Sequence, residues 1–151
     1  MFSTVRYFIK TSLTFLFVGL LTGIYMSICK YVFFIGISPA IVSAHTHVIL
    51  VGSVMMMIMG VALWFFPKPD KKDKRYNPSL ILFTYWLITI STGLRFIFQI
   101  ADSFLLENLI SYMVTTTSIF QVTAFGLFFY SMWGRIRAVG SRLREAKGER
   151  F

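Results

Sequence analysis

Long apolar stretches alternate with short polar breaks along this chain of 151 residues. A membrane-spanning helix needs about 20 apolar residues. Four stretches meet that length, at about residues 11–37, 39–66, 79–101 and 106–133. Proline, which is favoured in the first turn of a helix, follows Ser38 and Asn77 at the start of the second and third stretches. The pattern therefore predicts an all-α integral membrane protein, a four-helix bundle that forms a single domain.

The composition agrees with a membrane protein. Hydrophobic residues make up 56% of the chain and charged residues only 14%, whereas a soluble domain has about 25% charged residues. A charged side chain near the bilayer centre costs at least about 2.5 kcal/mol. Most of the charged residues accordingly lie in short segments between and beyond the apolar stretches.

The basic residues gather in three places. Arg6 and Lys10 lie near the N-terminus, a cluster occupies residues 68–75, and the tail at 134–151 is basic. With four spans, all three places fall on one side of the membrane. Because basic loops face the cytoplasm, both termini are expected there, with the tail against anionic lipid. The net charge of +9 is thus assigned to membrane topology, and nucleic acid binding is rejected.

A few polar residues lie inside the predicted spans, where each needs a partner. Lys30 and Arg95 lie about two turns before the ends of the first and third spans, and His45 and His47 lie about two turns into the second. All four are expected at a similar depth near the non-cytoplasmic surface. Haem fits this set, because its iron takes imidazole and its propionates take Arg or Lys. Alternatively, Lys30 and Arg95 extend to the interface and the histidines bond nearby hydroxyls.

The spacing of the histidines restricts how they can bind metal. Residues i and i+2 of an α-helix are about 200° apart, so His45 and His47 cannot bind the same iron. Either one is a ligand and the other supports it, or each binds a different haem on its own side of the helix. The second arrangement requires ligands from neighbouring chains.

Two other patterns in the spans are interpreted as packing. Gly19 and Gly23 form a G-x-x-x-G pair, which lets helices approach closely. The methionines of residues 55–59 point all round the helix, as expected for side chains that fill irregular apolar space. No P-loop, nucleophile elbow, H-E-x-x-H motif or cysteine cluster occurs, so nothing supports a hydrolase or transferase.

The second span carries a longer motif. It contains A-H-T-H-V-I-L at 44–50, then Gly52, I-M-G at 58–60 and W-F-F-P at 64–67. This string resembles the tenth transmembrane helix of haem–copper oxidase subunit I, in which the two histidines ligate different haems on opposite sides. The resemblance implies that His45 and His47 each ligate a haem iron. The motif covers one helix of the chain.

The chain also departs from that family. The family's reaction centre needs six histidines, and the family has twelve helices. This chain has two histidines and about four predicted helices. By itself the chain therefore cannot build the copper-containing centre, and it is not a conventional oxidase. The family's helices form three arcs of four, so a four-helix chain is expected to form a homotrimer, or next a homodimer, with haem shared between protomers.

These observations lead to one expected function and several alternatives. The chain is expected to be a b-type haem protein for electron transfer in a prokaryotic plasma membrane. The haem would be bound non-covalently, since no C-x-x-C-H motif occurs, and copper is not expected. The alternatives are a cofactor-free structural or assembly subunit of a respiratory complex, a haem protein that binds O2 or NO at an open iron position, and a copper-handling protein.

Overall fold

The computed structural model describes residues 2–66, 77–105 and 108–136, together with Gly148. All regular structure within these residues is helical. Helix α1 spans Phe2–Tyr31, α2 spans Pro39–Phe65, α3 spans Pro78–Asp102 and α4 spans Asn108–Met132, which is followed by a short 3-10 helix at Trp133–Arg135. The helices α1 to α4 are long and apolar enough to cross a membrane.

The all-α class is thus confirmed within these residues, and four helices of spanning length occur where four spans were predicted, which indicates a multi-pass membrane protein. The basic cluster at 68–75 and nearly all of the tail at 134–151 lie outside the described residues. The cytoplasmic position of the termini stays a prediction.

The first helix differs from the predicted span at 11–37. It begins earlier in the chain, because its N-terminal turns are helical although they carry polar side chains, and it ends at Tyr31. Beyond that residue, Phe33 N–H donates to the Ile28 carbonyl at 3.2 Å. Phe34 then has a φ of 54°, in the left-handed region that often ends helices. The apolar residues after Tyr31 are therefore outside the helix, which hydrophobicity alone does not reveal.

Side-chain caps begin α2 and α3. Ser38 Oγ accepts a hydrogen bond from Ala40 N–H at 3.3 Å, and Asn77 Oδ1 accepts one from Ser79 N–H at 2.9 Å. Each cap is followed by proline in the first turn, where its missing N–H leaves no bond unmade. The helix starts predicted from the Ser-Pro and Asn-Pro pairs are those observed.

The helices pack as neighbours in chain order, α1 on α2, α2 on α3 and α3 on α4. A common core lies at the end where α1 begins and α2 ends. Phe8 is fully buried there, and its ring lies 5.2 Å from that of Tyr85 in α3 and 6.4 Å from that of Phe128 in α4. Met56 and Met59 of α2 are buried in the same core. For these two methionines the packing interpretation is confirmed.

A π-helical segment at Val48–Met55 interrupts α2 directly after the histidines. Such segments are rare and are frequent near functional sites. Gly52 lies within it, and a Cβ there would lie 2.9 Å from Phe15 Cγ and 3.0 Å from Thr92 Cγ2. The glycine thus lets α1 and α3 both approach the widened turns of α2.

Arg135 lies at the end of the bundle that holds the common core. Its side chain is buried, and Nη2 donates to the backbone carbonyls of Leu63 and Phe66, each at 2.9 Å. The last carbonyls of a helix have no partner within that helix. A residue that follows α4 therefore caps the C-terminal end of α2.

Replacing Arg135 is expected to destabilise the fold. Arg135→Gln should lower the free energy of unfolding by about 1–3 kcal/mol, because the α2 carbonyls lose a charged donor. Lys10→Gln changes an exposed cation on α1 and should have an effect within about 0.5 kcal/mol. Unfolding by sodium dodecyl sulfate, followed by circular dichroism, measures both. Equal effects would contradict the capping role.

Candidate functional site

His45 is held against α1 by the glycine pair. Its Nδ1 lies 3.0 Å from the carbonyl oxygen of Gly19. A Cβ on Gly23 would lie 3.1 Å from His45 Cε1, so the absence of a side chain at Gly23 makes room for the imidazole. The G-x-x-x-G pair therefore provides both close helix packing, as predicted, and a seat for His45.

His47 is held on the side of α2 that faces α3. Its Nδ1 lies 2.8 Å from the carbonyl oxygen of Ser43, one turn earlier, and 3.4 Å from Ser43 Oγ. Gln99 of α3 donates from Nε2 to the same Ser43 Oγ at 2.9 Å. The ring of His47 is thus connected to α3 through Ser43.

These contacts fix the proton position on both rings. A carbonyl oxygen accepts hydrogen bonds and cannot donate them, so Nδ1 of each imidazole carries the proton. In the neutral ring, Nε2 is then left with a free lone pair. Imidazoles commonly bind metals in this form, with the other nitrogen bonded to a carbonyl. Backbone carbonyls of α1 and α2 thus orient both rings with Nδ1 as the donor nitrogen.

The two histidines make their contacts with different neighbours. His45 bonds α1, whereas Ser43, which bonds His47, receives a bond from α3. This agrees with the separation of about 200° expected for positions i and i+2. Within the described residues, no group of three or more His, Cys, Asp or Glu side chains converges to form a metal site.

Arg95 lies between α3 and α4. Its Nη1 donates to Gln121 Oε1 at 2.8 Å, and Gln121 Nε2 donates to Thr92 Oγ1 at 3.0 Å. Asp102, the one carboxylate side chain in the described ranges, accepts a bond from Ser111 instead. The guanidinium therefore has a neutral amide as its hydrogen-bond partner there.

Lys30 lies near the end of α1 with an exposed side chain. Its Nζ lies 5.2 Å from the centre of the Tyr31 ring, close enough for a cation–π contact. The structure gives it no hydrogen bond to His45, His47 or Arg95 within the described part of the chain. The four residues predicted to share one depth are thus positioned by different neighbours.

An apolar cleft of about 400 Å³ lies between α1, α2 and α3, within one helical turn of His45. It is lined by Leu21, Thr22, Tyr25, Ile41, Ile100 and Phe104. Ile41 precedes His45 by one turn of α2, and Thr22 is next to Gly23. The apolar lining of this cleft therefore lies on the same side of the bundle as His45.

The sequence interpretation missed two contributors, Ser43 and Gln99. A serine one helical turn before a histidine is a visible signal, since positions i and i+4 share a face. Gln99 is visible in the sequence as a polar residue of the third span, but its bond to Ser43 depends on how α3 is rotated against α2. That rotation comes from packing and is not visible in a single sequence.

Comparisons of the chain with protein-family models, with curated proteins and with solved structures gave no match. The resemblance of the second span to an oxidase helix therefore stays a prediction from the motif of one helix.

Both imidazoles are expected to carry their proton on Nδ1. Nitrogen-15 NMR of protein labelled only at histidine should show Nδ1 protonated in both rings, because each Nδ1 faces a carbonyl oxygen. The chain contains only two histidines, so the spectrum can be assigned with one variant. A ring protonated on Nε2 would contradict the contact that the structure gives it.

Filling the space at Gly23 is expected to displace His45. Gly23→Val should lower the free energy of unfolding by about 1–3 kcal/mol through overpacking and should shift the nitrogen signals of His45. Gly126→Val is the matched control, because a Cβ at Gly126 meets nothing within 4 Å. Identical unfolding and unchanged His45 signals in both variants would show that Gly23 does not seat the ring.

Proposed function

We propose that this chain is a membrane b-type haem protein, related to haem–copper oxidase subunit I, that transfers electrons through haem iron held by His45 and His47. The observation that carries the proposal is the pair of bonds from Nδ1 to backbone carbonyls. They make Nδ1 the donor nitrogen of both rings, so Nε2 is the nitrogen available to an iron inside a helix bundle of apolar composition. Haem, when bound, supplies one-electron redox chemistry.

The other requirements of a haem also fit the described residues. Its propionates need cationic donors, and the half-buried guanidinium of Arg95 has a neutral amide rather than a carboxylate as its hydrogen-bond partner in the described ranges. Lys30 offers a second cation at the end of α1. The macrocycle needs apolar surroundings, which the cleft near His45 supports. Arg95 and Lys30 are accordingly proposed to bind propionates.

We propose that each iron is shared between protomers. Two axial imidazoles are needed for a closed iron site, and His45 and His47 make contacts on different sides of α2, so one chain does not bring both to one iron. His45 of one protomer and His47 of the next would complete each site. A homotrimer is preferred because the chain-order packing of α1 to α4 is compatible with one arc of the family fold, and a homodimer comes next.

The remaining features follow from the sequence. Two histidines are too few for an additional copper centre, so copper is not part of the proposal. The basic segments favour cytoplasmic termini, and a respiratory haem protein of this kind would lie in a prokaryotic plasma membrane. A copper-handling role gains no support, because Met56 and Met59 are buried in the common core.

One observation favours a second candidate, a cofactor-free subunit of a respiratory complex. His45 is already seated by Gly19 and Gly23, and a ring so packed can serve helix association alone. This candidate does not explain why both histidines present a free Nε2. The two functions differ in whether the protein takes up haem.

An absorption spectrum of the detergent-purified protein tests the proposal. Oxidised and dithionite-reduced spectra, with a pyridine haemochromogen assay, should show about one haem b per chain, because each chain offers one His45 and one His47. His45→Ala and His47→Ala should each abolish the bis-imidazole spectrum. A carbon monoxide shift in the wild-type protein would indicate an open iron position and gas binding. A protein that stays colourless after haemin is added would favour the cofactor-free subunit.

Mixed oligomers test whether the haem is shared. His45→Ala and His47→Ala chains with different tags are co-expressed and purified through both tags. In the shared arrangement, each mixed oligomer has one interface at which an intact His45 meets an intact His47. About one third of the haem should therefore return in a trimer and about half in a dimer. Two tagged copies of the same variant are the control. No recovery in the mixed oligomer would show that the ligands come from one chain.

A further inference from the structure

Three buried polar atoms on α3 have no hydrogen-bond partner among the described residues: Oγ1 of Thr89, Nε of Arg95 and Oε1 of Gln99. The last two, Arg95 Nε and Gln99 Oε1, belong to side chains one helical turn apart. Gln99 is only 5% exposed, so bulk water does not satisfy its oxygen. Buried polar atoms are almost always bonded, to protein or to an ordered water. Both atoms therefore point to a small polar ligand.

The hydrogen-bonding roles of the two atoms are complementary. Arg95 Nε carries a proton and donates, whereas Gln99 Oε1 accepts. Positions i and i+4 of a helix share a face, with Cβ atoms about 5–6 Å apart. A water molecule can accept from the first atom and donate to the second. An ionised carboxylate or a halide cannot donate, so it satisfies Arg95 and leaves Gln99 Oε1 facing another acceptor.

We propose that a bound water bridges Arg95 Nε and Gln99 Oε1 and completes a hydrogen-bonded chain from the half-buried Arg95 guanidinium to His47. The links on either side of the water are present. Gln121 accepts from Arg95, Gln99 donates to Ser43 Oγ, and the same Ser43 Oγ lies 3.4 Å from His47 Nδ1. The chain connects α4, α3 and α2.

The chain has a single direction from Arg95 to Ser43. Arg95 donates to the water, the water to Gln99 Oε1, and Gln99 Nε2 to Ser43 Oγ. Bonds aligned in this way polarise one another and strengthen the series. Gln99 thus holds Ser43 in place beside His47 Nδ1, and Gln99 is a positioning residue for the imidazole. This role needs no haem, so it stands or falls separately from the proposed function.

High-resolution structures of the full-length protein in a lipidic mesophase test the water. Density is expected within hydrogen-bonding distance of both Arg95 Nε and Gln99 Oε1, without an anomalous signal in crystals soaked in bromide. It should disappear in Gln99→Leu and persist in Ser91→Ala, a buried control on the same helix whose Oγ bonds its own helix backbone. Three outcomes in the wild-type protein would overturn the proposal. They are an anomalous bromide peak with a reversed Gln99 amide, a haem propionate at Arg95 Nε, and no density between Arg95 Nε and Gln99 Oε1.

Nitrogen-15 NMR of the two histidines tests the connection to His47. In Gln99→Leu the His47 signals should shift or split, because Ser43 is released, while the His45 signals stay unchanged. His45 is an internal control, since its Nδ1 bonds Gly19 outside the chain of bonds. Unchanged His47 signals in a folded Gln99→Leu protein would show that the chain does not position this imidazole. Should that variant fail to fold, Gln99→Met is measured in its place.

Discussion

A bilayer offers its embedded groups almost no hydrogen bonds, so each polar group within it must find a partner in the protein. The structure answers this requirement with backbone carbonyls that already belong to helices. A carbonyl oxygen has two lone pairs, and one can accept from a side chain while the helix continues. Gly19 and Ser43 accept from imidazoles in this way. The chemistry of the site therefore depends on the backbone of its neighbours.

Hydrophobicity was sufficient to predict the number of long helices, because bilayer thickness sets the length of apolar sequence that a span needs. The Ser38 and Asn77 caps could also be predicted, since their chemistry is local. Two features of the backbone could not. The end of α1 depends on the left-handed conformation of Phe34, and the π segment at Val48–Met55 replaces the regular turn within an unbroken apolar run. Neither changes the hydrophobic pattern.

The candidate site was predictable only as far as single-helix geometry reaches. The divergence of His45 and His47 follows from their spacing on one helix. The partners of Arg95 and Lys30 do not, because depth along a helix says nothing about its rotation against the next one. Arg95 is held by Gln121 of α4, while Lys30 lies over the Tyr31 ring. Composition and depth predicted that the histidines, Arg95 and Lys30 form one cluster. In the structure, each of these side chains contacts a different neighbour.

The bond of Arg135 to the end of α2 also orders events during synthesis. Arg135 follows Leu63 by 72 positions, so the ribosome has already made α3 and α4 when this residue emerges. Until then the terminal carbonyls of α2 lack their guanidinium partner. A chain that stops before Arg135 would therefore leave these carbonyls without that donor, and the cap on α2 forms only after α4 has been made.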